Sequence, residues 1–181
     1  MKVLVTGAGG GVGREMVDAL APFEVIACTH ADLDTGDREA VLAAVTSTRP
    51  DAIVHCASWT AVDACEADPD HAYRDNALAN RNVMEAARRV GAYVVALSTD
   101  YVFDGEKDEP YHEWDTPNPE SVYGQSKLGG EFEVDLECAV VRTSWVIGSS
   151  RPSRCASSST GAGASPRAAR CSTPHSDPHS C

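Results

Sequence analysis

Apolar residues fall into two rhythms along the first 148 positions. Short continuous runs at Lys2–Thr6, Glu24–Cys28, Asp51–Cys56, Tyr93–Ser98 and Ala139–Thr143 read as strands buried on both faces. Between them, Val12–Leu20, Asp37–Thr48, Asp70–Val90 and Val122–Val134 read as helices. In the second of these, Val41, Leu42 and Val45 recur at the helical period. Asp37 is placed to cap that helix, and Gly91 to stop the long one that follows. Strands alternating with helices predict an α/β chain whose parallel sheet is covered on both faces.

After Gly148 the pattern stops. Residues 149–181 hold no Val, Leu, Ile, Met, Phe, Tyr or Trp, but ten Ser, four Pro and Arg151, Arg154, Arg167 and Arg170. Such a segment has little apolar surface to bury against its ordering entropy, so disorder is expected. It reads either as a natural flexible tail or as an out-of-frame translation of GC-rich DNA, and the abrupt change favours the second. The expected organisation is one folded unit over 1–148 and a Ser/Arg/Pro/Ala-rich tail over 149–181.

Charge narrows the partners. The formal net charge is −12, against the phosphate contacts that nucleic acid requires. Residues 1–148 carry 11 bases and 26 acids, 11 − 26 = −15, with Lys2, Lys107 and Lys127 as their lysines. A surface so acidic also suits a high-salt cytoplasm, where bulk salt screens self-repulsion. No apolar run approaches the roughly 18 residues of a membrane span, and Gly7–Gly13 interrupt any signal-peptide core. The expectation is a cytoplasmic protein with no membrane or nucleic-acid partner. Seven cysteines without a C-x-x-C pair fit reduced thiols better than a disulfide framework. No cluster of metal ligands stands out.

The chemistry begins at the first turn. MKVLVTGAGGGVG is a strand, then Gly7, Gly10 and Gly13, then a helix, which is the setting of a dinucleotide fingerprint. The first glycine permits the tight turn, the second admits the pyrophosphate and the third lets helix and sheet approach. Backbone N–H groups at the helix start then face the phosphates. The fold expected is a Rossmann-type doubly wound parallel sheet. Gly11 and Val12 complete the turn. No acid ends the second strand, which runs into Cys28, Thr29 and His30; Arg14 favours a 2′-phosphate, and Asp32 is available to the adenine end. NADP(H) or NAD(H) are both open.

Tyr123 and Lys127 are four residues apart, on one face of a helix. An ammonium beside a tyrosine is expected to lower its pKa from about 10 and ready it for proton transfer. Leu97-Ser98-Thr99-Asp100-Tyr101 ends the fourth strand, and a hydroxyl on Ser98 or Thr99 can hydrogen-bond a substrate carbonyl there. Asn76 is a further candidate for a proton relay.

TGAGGGVG, CASWTAVDACE, STDYVFDG, VYGQSK and RTSWV, in that order, closely resemble the dTDP-4-dehydrorhamnose reductases, which are extended short-chain dehydrogenase/reductases. The resemblance covers residues 1–148. It implies NADPH- or NADH-dependent reduction of the 4-keto group of a dTDP-4-dehydro-6-deoxy sugar, giving dTDP-L-rhamnose for polysaccharide. Thr99, Tyr123 and Lys127 would be the catalytic group, with Tyr123 as general acid. Thr60, Val62, Tyr101 and Trp145 would line the sugar pocket. Ala57, Ser98 and Leu33 would join the glycines and Asp32 around the cofactor. A homodimer is an open option. Trp59 departs from the small or polar residue usual before TAVD. Family members also continue past RTSWV into a second, substrate-binding region, where this chain has its Ser/Arg-rich tail, so an impaired reductase is expected. Two other readings stay open: a sugar-nucleotide dehydratase or epimerase, disfavoured by Tyr101 where a dehydratase has a glutamate, and a dinucleotide-binding regulatory subunit like that of methionine adenosyltransferase.

Overall fold

The computed structural model describes residues 1–144 and 146. Five strands, β1 (Lys2–Thr6), β2 (Glu24–Cys28), β3 (Ala52–His55), β4 (Tyr93–Thr99) and β5 (Ala139–Thr143), form one sheet in the order β2-β1-β3-β4-β5. Every pairing is parallel. Helices α1 (Gly11–Ala19), α2 (Arg38–Thr48), α3 (Val62–Ala67), α4 (Pro69–Tyr73), α5 (Ala79–Val90) and α6 (Val122–Glu131) complete a doubly wound Rossmann-type arrangement.

The central strands β1, β3 and β4 are largely apolar because both their faces are covered. On β1, Val3 and Val5 meet Val54 and the α1 side chains Met16, Val17 and Leu20. Leu4 points the other way, into a larger core with Ile53, Val94, Val41 and Val45 of α2, and Val83 and Met84 of α5. Burying each such side chain stabilises the fold by roughly 1.5–3 kcal/mol. β2 and β5 are the edges, and β5 leaves Val140 and Val141 more than a third exposed.

The local signals act as expected at two helix ends. Asp37 accepts hydrogen bonds from Glu39 N and Ala40 N at the start of α2, and Gly91 closes α5 in the left-handed region at φ 74°. The expected helix over 70–90 is present without interruption, as α4, a π-helical turn at Arg74–Leu78 and α5. α4 begins at Pro69, where Asp68 accepts from His71 N at 3.1 Å. The π turn presses the Asn76 carbonyl against α6, where a Cβ on Gly130 would lie 2.2 Å from it. α3 carries no periodic signal of its own in six residues, and the sequence pattern did not reveal it. Among the described residues no helix is long and apolar enough to cross a membrane.

Candidate active site

The sheet reverses direction of growth at β1, between β2 and β3, and the crevice outside such a switch point is where doubly wound sheets bind ligands. Gly7 follows β1 with φ 65°, and a Cβ there would sit 2.6 Å from the Ala57 amide after β3. The two loops therefore touch at Ala57. A Cβ on Gly13 would lie 2.1 Å from the Gly7 carbonyl, whereas one on Gly11 would meet nothing within 4 Å. Gly11 thus faces open space at the start of α1, whose first turn no side chain caps. Its N–H groups are free for phosphate oxygens, so the turn fits a dinucleotide. Val12 lies in that first turn.

The adenine end is arranged differently from the sequence expectation. Arg14 donates to the Gly9 carbonyl and so braces the glycine turn. Asp32 accepts from Thr29 N at 2.9 Å and Thr29 Oγ1 at 2.6 Å, bonds that hold its carboxyl below the ordinary range. The Leu33 side chain is buried in the core with Val41 and Ile53.

The second half of the site stands on α6. Ser121 caps it through Gly124 N at 3.0 Å, and Val122 N donates to Glu66 Oε1 at 2.7 Å. A Cβ on Gly124 would lie 2.2 Å from the Tyr101 carbonyl, so glycine lets α6 close against the single 3-10 turn Asp100–Val102 that follows β4. This brings Thr99, Tyr123 and Lys127 together, all less than a tenth exposed. Thr99 Oγ1 donates to Asp100 Oδ1 at 3.1 Å and accepts from Tyr101 N at 3.2 Å, and the Tyr101 ring meets the Tyr123 ring edge-on at 5.6 Å. Lys127 Nζ donates to the Leu97 carbonyl at 2.7 Å.

The expected lowering of the Tyr123 pKa does not occur in this state. Burial pushes the phenol up, and the neighbouring Thr99 hydroxyl opposes it only in part. Lys127 is itself depressed to about 8 by burial, against the raising influence of Glu131 and Cys56. Tyr123 is therefore a protonated phenol at neutral pH. Beneath Lys127 lies His55, 1% exposed. Its Nδ1 is 2.7 Å from Thr6 Oγ1, while its Nε2 has no partner among the described residues. Burial, then Lys127, drop its pKa to about 3, so the imidazole is neutral.

The Ser98 hydroxyl donates to Glu131 Oε1 of α6, the helix that also carries Tyr123 and Lys127. The Asn76 side chain is not available as a relay. It grips both backbone groups of Trp59, accepting from N at 2.8 Å and donating to O at 3.0 Å, and donates to Ser126 Oγ at 3.0 Å. Val62 packs with Tyr123, Cys65 and Ala72. Thr60 is exposed, and Trp59 stacks on His71 at 4.1 Å. Trp145 lies outside the described residues, as does the 149–181 segment. Beside Tyr101, a cavity of about 350 Å³ is lined by Phe103, Asp104, Tyr111 and Glu120. Sequence reasoning missed Glu131, whose one signal is its place four residues after Lys127.

The family model of the RmlD substrate binding domain matches residues 1–157. The spore coat polysaccharide biosynthesis protein SpsK of Bacillus subtilis is 41% identical over 152 residues, which cover 81% of this chain and 54% of that protein. A crystal structure of a dTDP-4-dehydrorhamnose reductase from Clostridium acetobutylicum superimposes with a TM-score of 0.80 at 44% identity, covering 83% of this chain and 56% of that one. The reductase from Bacillus anthracis, solved in complex with NADP, gives 0.77 at 40% identity, with coverage of 80% and 53%. The chain spans about half the length of the curated relatives it matches.

Proposed function

Since the chain belongs to the RmlD substrate binding domain family, we propose that residues 1–148 form the cofactor-binding and proton-donating half of a dTDP-4-dehydrorhamnose reductase. The observation that carries this reading is the convergence of Thr99, Tyr123 and Lys127 at the same sheet edge as the Gly7–Gly13 turn. The turn fits NADP(H) or NAD(H), and a bound nicotinamide supplies the hydride. Tyr123 would give its phenol proton to the oxygen of the 4-keto group of the dTDP-sugar. Thr99 orients the phenol and the substrate oxygen. Lys127, held by the Leu97 carbonyl, is placed for the nicotinamide ribose. Tyr101 and Val62 flank Tyr123 and, with Thr60, would make up the sugar side. The reaction belongs to a cytoplasmic polysaccharide-precursor route, and a homodimer is the assembly proposed.

Fluorescence titration of the full chain with NADPH and NADH is the first test, followed by the loss of reduced-nicotinamide absorbance on adding dTDP-4-dehydrorhamnose. Cofactor binding with slow turnover is expected, since the chain spans half of its relatives. Tyr123→Phe should reduce that turnover by about 10²- to 10⁴-fold with NADPH affinity retained. Absence of any cofactor binding would sink the proposal. Binding with no turnover at all would move it to a non-catalytic dinucleotide-binding subunit.

A further inference from the structure

Building on that reading, we propose that Glu131 is a positioning residue that acts through Lys127: its carboxylate, locked between Ser98 and Arg142, is the fixed counter-charge for the lysine four residues before it on α6. Ser98 Oγ donates to Oε1. Arg142 Nη2 donates to Oε2 at 2.7 Å, and Nε lies 3.0 and 3.2 Å from the two oxygens. A two-pronged guanidinium contact of this kind fixes orientation as well as charge. Arg142 is anchored in turn, with Nη1 donating to the Glu113 carbonyl at 3.4 Å and its guanidinium carbon 5.0 Å from the Phe103 ring centroid. The Glu131 side chain is only 9% exposed, so little water screens its field.

The surroundings of Lys127 leave this role to Glu131. β4 offers the uncharged Leu97 carbonyl. β3 offers His55, neutral, and Cys56, whose thiol burial pushes up to about 11. Tyr123, on the same helix, is a protonated phenol. Arg142, on β5, is paired with Glu131. The same carboxylate ties α6 to Ser98, the residue before Thr99, so one group sets both the charge on the lysine and the place of the threonine.

The full chain holds three lysines, Lys2, Lys107 and Lys127, so side-chain nitrogen NMR resolves the Lys127 titration, with Lys127→Met assigning its signal. Glu131→Gln is expected to lower the Lys127 midpoint by about one pH unit, a tenfold loss in proton affinity. Arg142→Gln leaves the carboxylate without its neutralising partner and is expected to raise the midpoint. A purely structural role predicts no such opposite pair of shifts. An unmoved midpoint in folded Glu131→Gln, or shifts of the same sign in both variants, overturns the proposal. Should Glu131→Gln not fold, the direction in Arg142→Gln decides alone. The readout needs neither cofactor nor turnover, so its failure is distinct from failure of the reductase reading.

Discussion

The two ends of the crevice are built from different materials. At the β1–α1 end the site is backbone: Gly7, Gly11 and Gly13 shape it by what they lack, and the first turn of α1 is left uncapped by any side chain. At the α6 end it is side chain: Tyr123, Lys127, Thr99, His55 and Glu131 are all largely buried, and each has its proton affinity or orientation set by a neighbour from another element. A backbone site fails by steric intrusion, all at once. A side-chain site fails by degrees, through charge and hydrogen bonding, and its failures depend on pH.

The contrast is sharpest at Gly13. Gly13→Val places a Cβ where the Gly7 carbonyl stands, 2.1 Å away, forcing α1 off β1. A stability loss of about 3 kcal/mol and loss of NADPH binding are expected together, read by urea unfolding and cofactor fluorescence. A variant that binds NADPH normally would show that the backbone end tolerates more than its geometry allows.

At the other end the expected effect is smaller and tied to pH. The folded pKa of His55, about 3, lies below its ordinary 6.5. Between those values the unfolded chain binds the extra proton, so this contribution to stability is full above 6.5 and declines as pH falls toward 3. One proton corresponds to about 1.4 kcal/mol per pH unit. His55→Asn should flatten the acid limb of the stability–pH curve by that slope. An unchanged slope would mean that His55 is not buried as a neutral ring.

The smallest effect is expected away from both ends. Arg88→Ala removes the exposed pair with Asp135, and surface pairs of this kind contribute little. The urea midpoint should not move measurably; a clear drop would show that the segment after α6 leans on that contact.

The same contrast governs what the sequence made legible. β1, β2 and β5 were read to the residue because each is a short apolar run, a signal that holds even for the edge strands β2 and β5, which leave none of their side chains fully buried. The glycine turn was read because its function is the absence of side chains. The roles of Ser98, Asn76 and Glu131 were not, because each is defined by a partner 17 to 50 residues away, as in the Asn76–Trp59 and Asn76–Ser126 bonds or Ser98 with Glu131. The π turn was hidden for a related reason: its place is set by the approach of α6 at Gly130, which helical periodicity in 70–90 does not encode. Lys127 was placed correctly on one face with Tyr123, yet burial reversed the direction in which the phenol's proton affinity was expected to move.

The strand order has a consequence for how the chain assembles. β1 pairs with β2 over a separation of about twenty residues, but its other edge stays bare until residues 52–55 dock against it. From there β4 joins β3 and β5 joins β4, each new strand closing the edge its predecessor had left open. No hairpin offers a local shortcut, and such non-local parallel pairing is slow. During synthesis the sheet therefore grows in one direction, and at every stage the newest strand is the sticky one. An arrest between β3 and β4 would expose Ile53 and Val54, side chains the finished fold buries, which makes that interval the one in which a chaperone has most to protect.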